Sequence, residues 1–266
     1  MGKGALDHRL TVADHLRSDV SYERPHGGGE ALFDLVGDLD GKRVLDYGCG
    51  HAPHRPHLEA RGARWVGLDL AGPICSVVGQ GLQLPFPNGA FDAVLCGAVL
   101  EHMPEPGQTL NEIHRVLAEG GLLFGYVAFL EPLHGLSYFH MSHLGLEYLL
   151  SAHGFRPTHI YPARVGAGWQ IEGMLFPKPV PLVQPLWRTF NNAVLTGVLT
   201  LNRWARDVML VLQRRPEAGD GEHRRQYRQL LALRYAMGFN FIARRTDGAM
   251  REASGYRAMV TESGDA

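Results

Sequence analysis

An α/β fold, built on a doubly wound, mostly parallel sheet of seven strands with a helical insertion before the last strand, is what this chain predicts. Three observations carry the prediction. Apolar runs of strand length alternate with segments of helical period from Arg43 to Tyr161, the pattern of successive strand–helix units. The first run, Arg43-Val44-Leu45-Asp46-Tyr47, breaks into Gly48-Cys49-Gly50, and nineteen residues after Gly50 a second run, Trp65-Val66-Gly67-Leu68, ends on Asp69. A long helix-rich stretch then separates a sixth run from a final one, Phe239-Asn240-Phe241-Ile242-Ala243-Arg244.

Residues 1–25 are polar and read as an arm. Ala31, Leu32, Leu35, Val36 and Leu39 recur at helical spacing, so 1–40 is taken as arm plus helix. The core, 41–162, opens with the two strands already named, and a helix near His54–Arg61 joins them. A third short strand is expected at Cys75–Val78. Too few residues lie between Asp69 and Val77 for a crossover helix, since parallel strands need roughly a dozen connecting residues. Phe91–Cys96 is almost wholly apolar and reads as a strand buried on both faces. Leu110, Ile113 and Leu117 share one face of a helix over Gln108–Leu117, stopped by Gly120-Gly121, and Leu122–Val127 is the fifth strand. Ser142 is placed to N-cap a helix ending at Gly154, followed by a sixth strand over Phe155–Tyr161. The insertion is read over 163–237, the final strand over 238–248, and a tail over 249–266.

Composition narrows the function. The chain has 266 residues, 45% of them apolar, and a net charge of −1, so no global field marks a nucleic-acid binder. The charge is uneven: Leu186–Arg245 holds eleven Arg against four acids, a balance of +7, leaving −8 elsewhere. Three cysteines (Cys49, Cys75, Cys96) without a C-x-x-C pair argue for reduced thiols and a cytoplasmic setting. The residues around Asp7, His8 and Arg9 show no signal-peptide core, and no uncharged apolar run reaches the roughly 18 residues of a membrane span.

A glycine turn after one strand and an acid at the tip of the next is how an open α/β sheet grips a nucleoside. The glycines admit the ligand to the backbone, and the acid accepts the ribose hydroxyls. Two cofactors meet that description, a dinucleotide and S-adenosylmethionine (SAM). The turn favours SAM. Gly48-Cys49-Gly50-His51-Ala52-Pro53 lacks the third glycine of a pyrophosphate site, and Pro53 has no N–H to offer. SAM carries no phosphate, and its cationic sulfonium and amino groups suit a carboxylate such as Asp46.

From Lys42 to Arg156 the chain resembles the class I SAM-dependent methyltransferases, in particular the subgroup related to ubiquinone/menaquinone-type methyltransferases. The resemblance is carried by VLDYGCG at 44–50, GLD at 67–69, LPFPNGAFDAVLCGAVLEHMPEP at 84–106 and EIHRVLAEGGLLFGYV at 112–127. It implies a Rossmann-like sheet, SAM as cofactor and methyl transfer as the reaction. It assigns Asp46, Gly48 and Gly50, with Cys49 between them, to the methionine moiety, and Asp69 to the ribose with Leu70 beside it. Gln80, Gly81 and Leu82 would lie along the adenine, and Gly97 and Ala98 beneath the sulfonium. The chain departs from the family in having His51-Ala52 where Thr-Gly is usual and Gln80 where an acid is usual. Gln80 accepts a hydrogen bond only without charge assistance.

The acceptor is expected beyond the carboxyl ends of the fourth and fifth strands. His134, Tyr138, His140 and His143 cluster in the loop after the fifth strand. His134, Tyr138 and His140 are the candidate catalytic residues, since a histidine there can take a hydroxyl proton. Glu101-His102 reaches the same region and is read as pinning a loop. His51, His54 and His57 recur every third residue, but Pro53 and Pro56 disturb that helix and no Cys or carboxylate completes a set, so no metal is expected. The reading is therefore a cytoplasmic O-methyltransferase acting on a small-molecule or sugar-containing acceptor, glycan- or lipid-linked and anionic in one version. A SAM-binding partner protein without transferase activity and an NAD(P)-dependent oxidoreductase are the alternatives. The apolar and basic segment Trp187–Leu212 is read as a lid or homodimer face, or as a peripheral membrane contact.

Overall fold

A computed structural model of the chain describes residues 16–25, 31–70, 74–79, 83–131, 135–165, 183–212 and 221–246. Seven strands form one sheet: β1 (Arg43–Tyr47), β2 (Arg64–Asp69), β3 (Val77–Val78), β4 (Phe91–Gly97), β5 (Leu117–Ala128), β6 (Phe155–Val165) and β7 (Ala236–Arg245), in the spatial order β3-β2-β1-β4-β5-β7-β6. β3, β2, β1, β4 and β5 are parallel; β7 runs antiparallel to both β5 and β6. The order reverses at β1, whose neighbours are β2 and β4, so the crevice above its carboxyl end is the switch point where such sheets bind ligands.

The strands alternate their side chains between two cores. Val44, Ala93, Leu95, Leu122 and Phe124 meet Leu32, Phe33 and Val36 of α1 (Ala31–Val36) and Leu58 of α2 (Arg55–Glu59). Leu45, Tyr47, Val94, Cys96 and Leu123 meet Leu110, Ile113 and Val116 of α3 (Pro106–Val116) and Leu146 and Leu150 of α4 (His143–Ala152). Helices thus cover both faces, the doubly wound arrangement. Ser142 caps α4, its Oγ accepting from the Gly145 N–H at 3.1 Å, which satisfies one orphan donor of the first turn.

Several elements run further than their apolar patterns. β5 starts at Leu117, with pairing that jumps from Phe91↔Leu117 to Ala93↔Leu122. The residues between form a bulge around Gly120, at φ +66°. β6 continues to Val165 because β7 pairs with it as far back as Ala236. Pro157 and Pro162 fit β6 because it is the edge strand, where a missing N–H is tolerated. The 16–25 segment covers part of that edge: Ser21 donates to the Thr158 carbonyl at 2.8 Å and accepts from the Ile160 N–H at 2.9 Å. Among the described residues, two helices lie between β6 and β7, α5 (Val183–Leu212) and α6 (Gly221–Arg234). Leu186, Phe190, Val194, Leu201 and Trp204 stand exposed along α5. The expected tail, 249–266, lies outside the described residues.

Candidate cofactor and acceptor site

At the tip of β1 the chain turns back through Gly48 and Gly50, at φ +73° and +51°, a conformation only glycine adopts without strain. The turn is tied to β2: the N–H groups of Gly48 and Cys49 both donate to the Leu68 carbonyl, at 2.8 and 3.1 Å. Gly50 N–H donates to Asp69 Oδ2 at 2.8 Å, which aims that carboxylate across the crevice. Ala52 N–H is spent on the Cys49 carbonyl at 2.7 Å. These four amides are all engaged, three by β2 and one within the turn, so none of them is offered to a pyrophosphate. A dinucleotide loses its anchor there, whereas the donor set of two carboxylates and close-approach glycines fits the cationic, phosphate-free SAM.

Asp46 is buried, 2% exposed. Its Oδ2 accepts from the Trp65 indole N–H at 3.1 Å. Burial pushes the Asp46 carboxyl up to about 6; the Trp65 bond opposes the rise and the charge of Asp69 adds to it. The folded pKa therefore lies above the unfolded value of about 3.9, so between these values the folded state binds the extra proton. Its stabilising effect is complete at low pH and is lost as pH rises from about 4 through 6, to a cost of up to about 3 kcal/mol above that range. We expect Asp46→Asn to be more stable than wild type at pH 8, with the difference in urea midpoint closing towards pH 4.5. A gap independent of pH would show that Asp46 bears no such penalty. A buried anion that weakens the fold is well suited to a cationic ligand.

At the end of β4, Gly97 leads into Ala98, at φ +56°, whose N–H donates to the Tyr126 carbonyl at 2.9 Å. Ala52, at φ +52°, is the other described non-glycine residue in that region of backbone space. Both strained residues border the crevice, which is where such strain gathers in functional sites. A Cβ added at Gly97 would sit 3.5 Å from His54 Nε2, so His54 reaches this tip from the start of α2. Burial, with the neighbouring His57, pushes the His54 pKa down and keeps it neutral. His54 and His57 pack on Phe33, with ring centroids 5.8 and 5.2 Å away. Among the described residues no group of three His, Cys, Asp or Glu is placed to hold a metal.

The acceptor side is built around Glu101, fully buried in the 3-10 turn Leu100–His102. Its Oε1 accepts from the Ala128 N–H at 3.3 Å, and its carbonyl accepts from the Tyr138 and Phe139 N–H groups at 2.7 and 3.2 Å. His102 Nδ1 lies 3.3 Å from the Leu136 carbonyl. Glu101 and His102 thus hold the post-β5 loop against the strand ends. His140 places Nδ1 3.0 Å from the Phe129 carbonyl. A carbonyl can only accept, so the Nδ1 carries the proton and Nε2 is the basic nitrogen. Tyr138 is exposed, and His143 is buried at the start of α4, edge-on to Tyr22. Leu70 is exposed beyond Asp69. Gln80, Gly81, Leu82 and His134 lie outside the described residues.

Sequence reading singled out neither Trp65 as a partner of Asp46 nor His54 as a neighbour of Gly97. A signal for Trp65 existed. β1 and β2 pair Val44 with Trp65, and Asp46 shares the Val44 face one pleat further on.

Comparison with known proteins agrees with this geometry. A family model described as a methyltransferase domain matches residues 45–125. A protein of Mycobacterium sp. (strain KMS), called an uncharacterized methyltransferase, is 30% identical over 177 residues, spanning 58% of this chain and 70% of its own. A ubiquinone biosynthesis O-methyltransferase of Pseudomonas aeruginosa (strain UCBPP-PA14) is 29% identical over 163 residues, spanning 53% and 68%. Among solved structures, the [4+2]-cyclase SpnF superposes with a TM-score of 0.50 at 20% identity, covering 86% of this chain and 87% of that one, a likeness of fold.

Proposed function

The chain belongs to the class I SAM-dependent methyltransferase family, with SAM as its cofactor, and from that premise we propose that it methylates a hydroxyl oxygen of a small-molecule or sugar-containing acceptor. The observation that carries the choice of oxygen is His140. Its Nδ1 proton is committed to the Phe129 carbonyl, which leaves Nε2 as the basic nitrogen on the loop beyond the end of β5. A hydroxyl is a poor nucleophile until its proton is removed, and a positioned histidine removes it. The relative from P. aeruginosa, named as an O-methyltransferase, supports the same reading.

Bound SAM supplies an electrophilic methyl group. Asp69, aimed by Gly50 N–H, accepts the ribose hydroxyls, and Asp46 sets a negative charge under the cationic end. Gly48, Cys49 and Gly50 admit the ligand to the backbone; Leu70 flanks the base, and Gly97 leaves room beneath the reacting centre. His140 Nε2 takes the acceptor proton, and Tyr138 on the same loop orients the acceptor. Glu101 and His102 hold that loop in register.

Two arginines of the insertion make bonds within the chain: Arg206 to Asp207 at 3.0 Å and over the Tyr227 ring at 4.0 Å, and Arg225 to Glu23 at 2.6 Å. These contacts are those of structural charges; an anionic acceptor is a reading for the remaining arginines of the segment. The exposed apolar stripe of α5 is instead the kind of surface that a second copy or a lipid headgroup layer covers. No described helix is long and apolar enough to cross a membrane; the cytoplasmic setting we propose rests on the three cysteines without a C-x-x-C pair.

Two measurements test the reading. SAM with an isotopically labelled methyl group, incubated with phenolic and glycosidic acceptors, should place the label on oxygen, as read by NMR of the product; label found on nitrogen or carbon instead would refute the hydroxyl assignment. Asp69→Ala should weaken SAM binding by about 1.5–3 kcal/mol, the loss for a charged hydrogen-bonding group. Unchanged affinity in calorimetry of the folded variant would remove SAM from this turn.

A further inference from the structure

Three thiols remain unused by the chemistry above, and two of them meet. Cys49 in the glycine turn and Cys75 in the link between β2 and β3 hold their sulfurs 3.6 Å apart. Cys49 is buried and Cys75 half-buried, while the third, Cys96, is sealed inside β4. The place for the Cys49 sulfur is made by Gly67: a Cβ there would lie 2.9 Å from Cys49 Sγ and would collide with the Trp65 ring. The meeting point lies within the cofactor turn itself, between Gly48 and Gly50.

We propose that Cys49 and Cys75 are a reversible oxidation site, whose disulfide switches SAM binding off. The oxidant is a peroxide. The Cys75 sulfur attacks one peroxide oxygen, the O–O bond breaks, water leaves, and Cys75 becomes a sulfenic acid. The Cys49 thiol then gives its proton to the departing hydroxyl as its sulfur attacks the Cys75 sulfur, so that the S–O bond breaks and a second water leaves. Two thiols and one hydrogen peroxide thus give one disulfide and two waters. Cys75 goes first because it is the more accessible, whereas burial and the neighbouring Cys75 push the Cys49 thiol up to about 12 and keep it protonated.

The geometry says why the bond would matter. A disulfide is about 2.05 Å long, so the sulfurs must close by about 1.5 Å from their 3.6 Å separation. On the Cys75 side the chain is anchored next door, where Ser76 Oγ accepts the Gly67 N–H at 3.2 Å. Cys49 is held as well, its N–H donating to the Leu68 carbonyl at 3.1 Å and its carbonyl accepting from the Ala52 N–H at 2.7 Å, so closure strains the Gly48–Gly50 turn together with the link that carries Cys75. That displaces the Gly50 N–H from Asp69, the 2.8 Å bond that aims the carboxylate. By linkage, bound SAM must oppose the disulfide as strongly as the disulfide opposes SAM.

The inference rests on SAM occupying the 46–50 turn. The full-length protein is treated with hydrogen peroxide, its cysteine pairing is mapped by mass spectrometry of proteolytic peptides, and SAM binding is measured by calorimetry when reduced, oxidised and re-reduced with dithiothreitol. We expect a Cys49–Cys75 peptide with Cys96 still a thiol, SAM affinity weakened roughly tenfold or more on oxidation, and recovery on re-reduction. Saturating SAM should slow the loss of thiols. Cys75→Ser and Cys75→Ala, folded by circular dichroism, should bind SAM as the reduced wild type does, before and after peroxide. Three retained thiols, a mapped disulfide without loss of affinity, or an equal loss in the Cys75 variants would each overturn the proposal. Peptide mapping reads the disulfide whether or not SAM sits at the turn, and Asp69→Ala reads the placement of SAM without peroxide, so the two failures are told apart.

Discussion

In a His140→Ala variant, turnover is expected to fall by about 10²–10⁴-fold, the contribution of a general base, while SAM affinity changes by less than about twofold. The split follows from position. His140 lies on the loop after β5, held by the Phe129 carbonyl at 3.0 Å, whereas the cofactor residues lie at the tips of β1 and β2. Removing the imidazole therefore takes away the proton acceptor and leaves the cofactor pocket intact. Losing an interaction made only in the transition state lowers kcat and kcat/KM together. Added imidazole should restore part of the rate, because a small base can occupy the space the truncation opens; a purely structural histidine would show no such rescue. Wild-type turnover in the variant would mean that the acceptor loses its proton elsewhere, with Tyr138 the next residue to replace.

Gly125→Ala should cost more than about 4 kcal/mol of stability, out of the 5–15 kcal/mol that a domain commonly has. Gly125 pairs with Cys96 across the central strands β4 and β5. A Cβ at Gly125 would collide with the Cys96 carbonyl oxygen and stand 2.5 Å from its carbonyl carbon. The obstacle is backbone in the middle of a sheet, so no side chain can rotate away, and the two strands must part. Gly197 on α5 is the internal comparison: nothing lies within 4 Å of its missing Cβ. Gly197→Ala should be neutral or stabilising by up to about 1 kcal/mol, because alanine favours the helix. Urea unfolding of both variants checks the pair. A Gly125→Ala midpoint equal to that of wild type would show that the strands accommodate the methyl group.

Local pattern made much of this fold legible. β1, β2 and β4 are continuous apolar runs because both their faces are covered, and Ser142 caps α4 through an interaction three residues long. The carboxylates of Asp46 and Asp69 were readable because each ends an apolar run, where a buried acid needs a reason. Long-range geometry was not legible. Nothing in Ala236–Arg245 says that it slots antiparallel between β5 and β6, since a strand chooses its neighbours by the pairing left open to it. The extra length of β5 is hidden by the bulge at Gly120, which reads as a helix stop. The approach of His54 to Gly97 depends on a turn at Ala52 with φ +52°, a conformation that alanine does not announce. The polar look of 16–25 likewise conceals Val20 and Tyr22, which are buried, and a Tyr22 hydroxyl that donates to Glu147 at 2.8 Å.

The place of β7 has a consequence for how the chain is made. β6 leaves the ribosome about seventy residues ahead of the strand that must separate it from β5, an interval of about 4 to 14 s at 5–20 residues per second. For that time the parallel half of the sheet ends on an unpaired β5, and β6 has only the Ser21 bridge on its far edge to join. β5 and β6 run the same way in the finished sheet, each antiparallel to β7, so any direct pairing of the two before β7 emerges has to be undone. The nascent protein therefore carries an open, apolar edge until β7 emerges, and this interval, more than any property of the finished molecule, is when it needs protection from its neighbours.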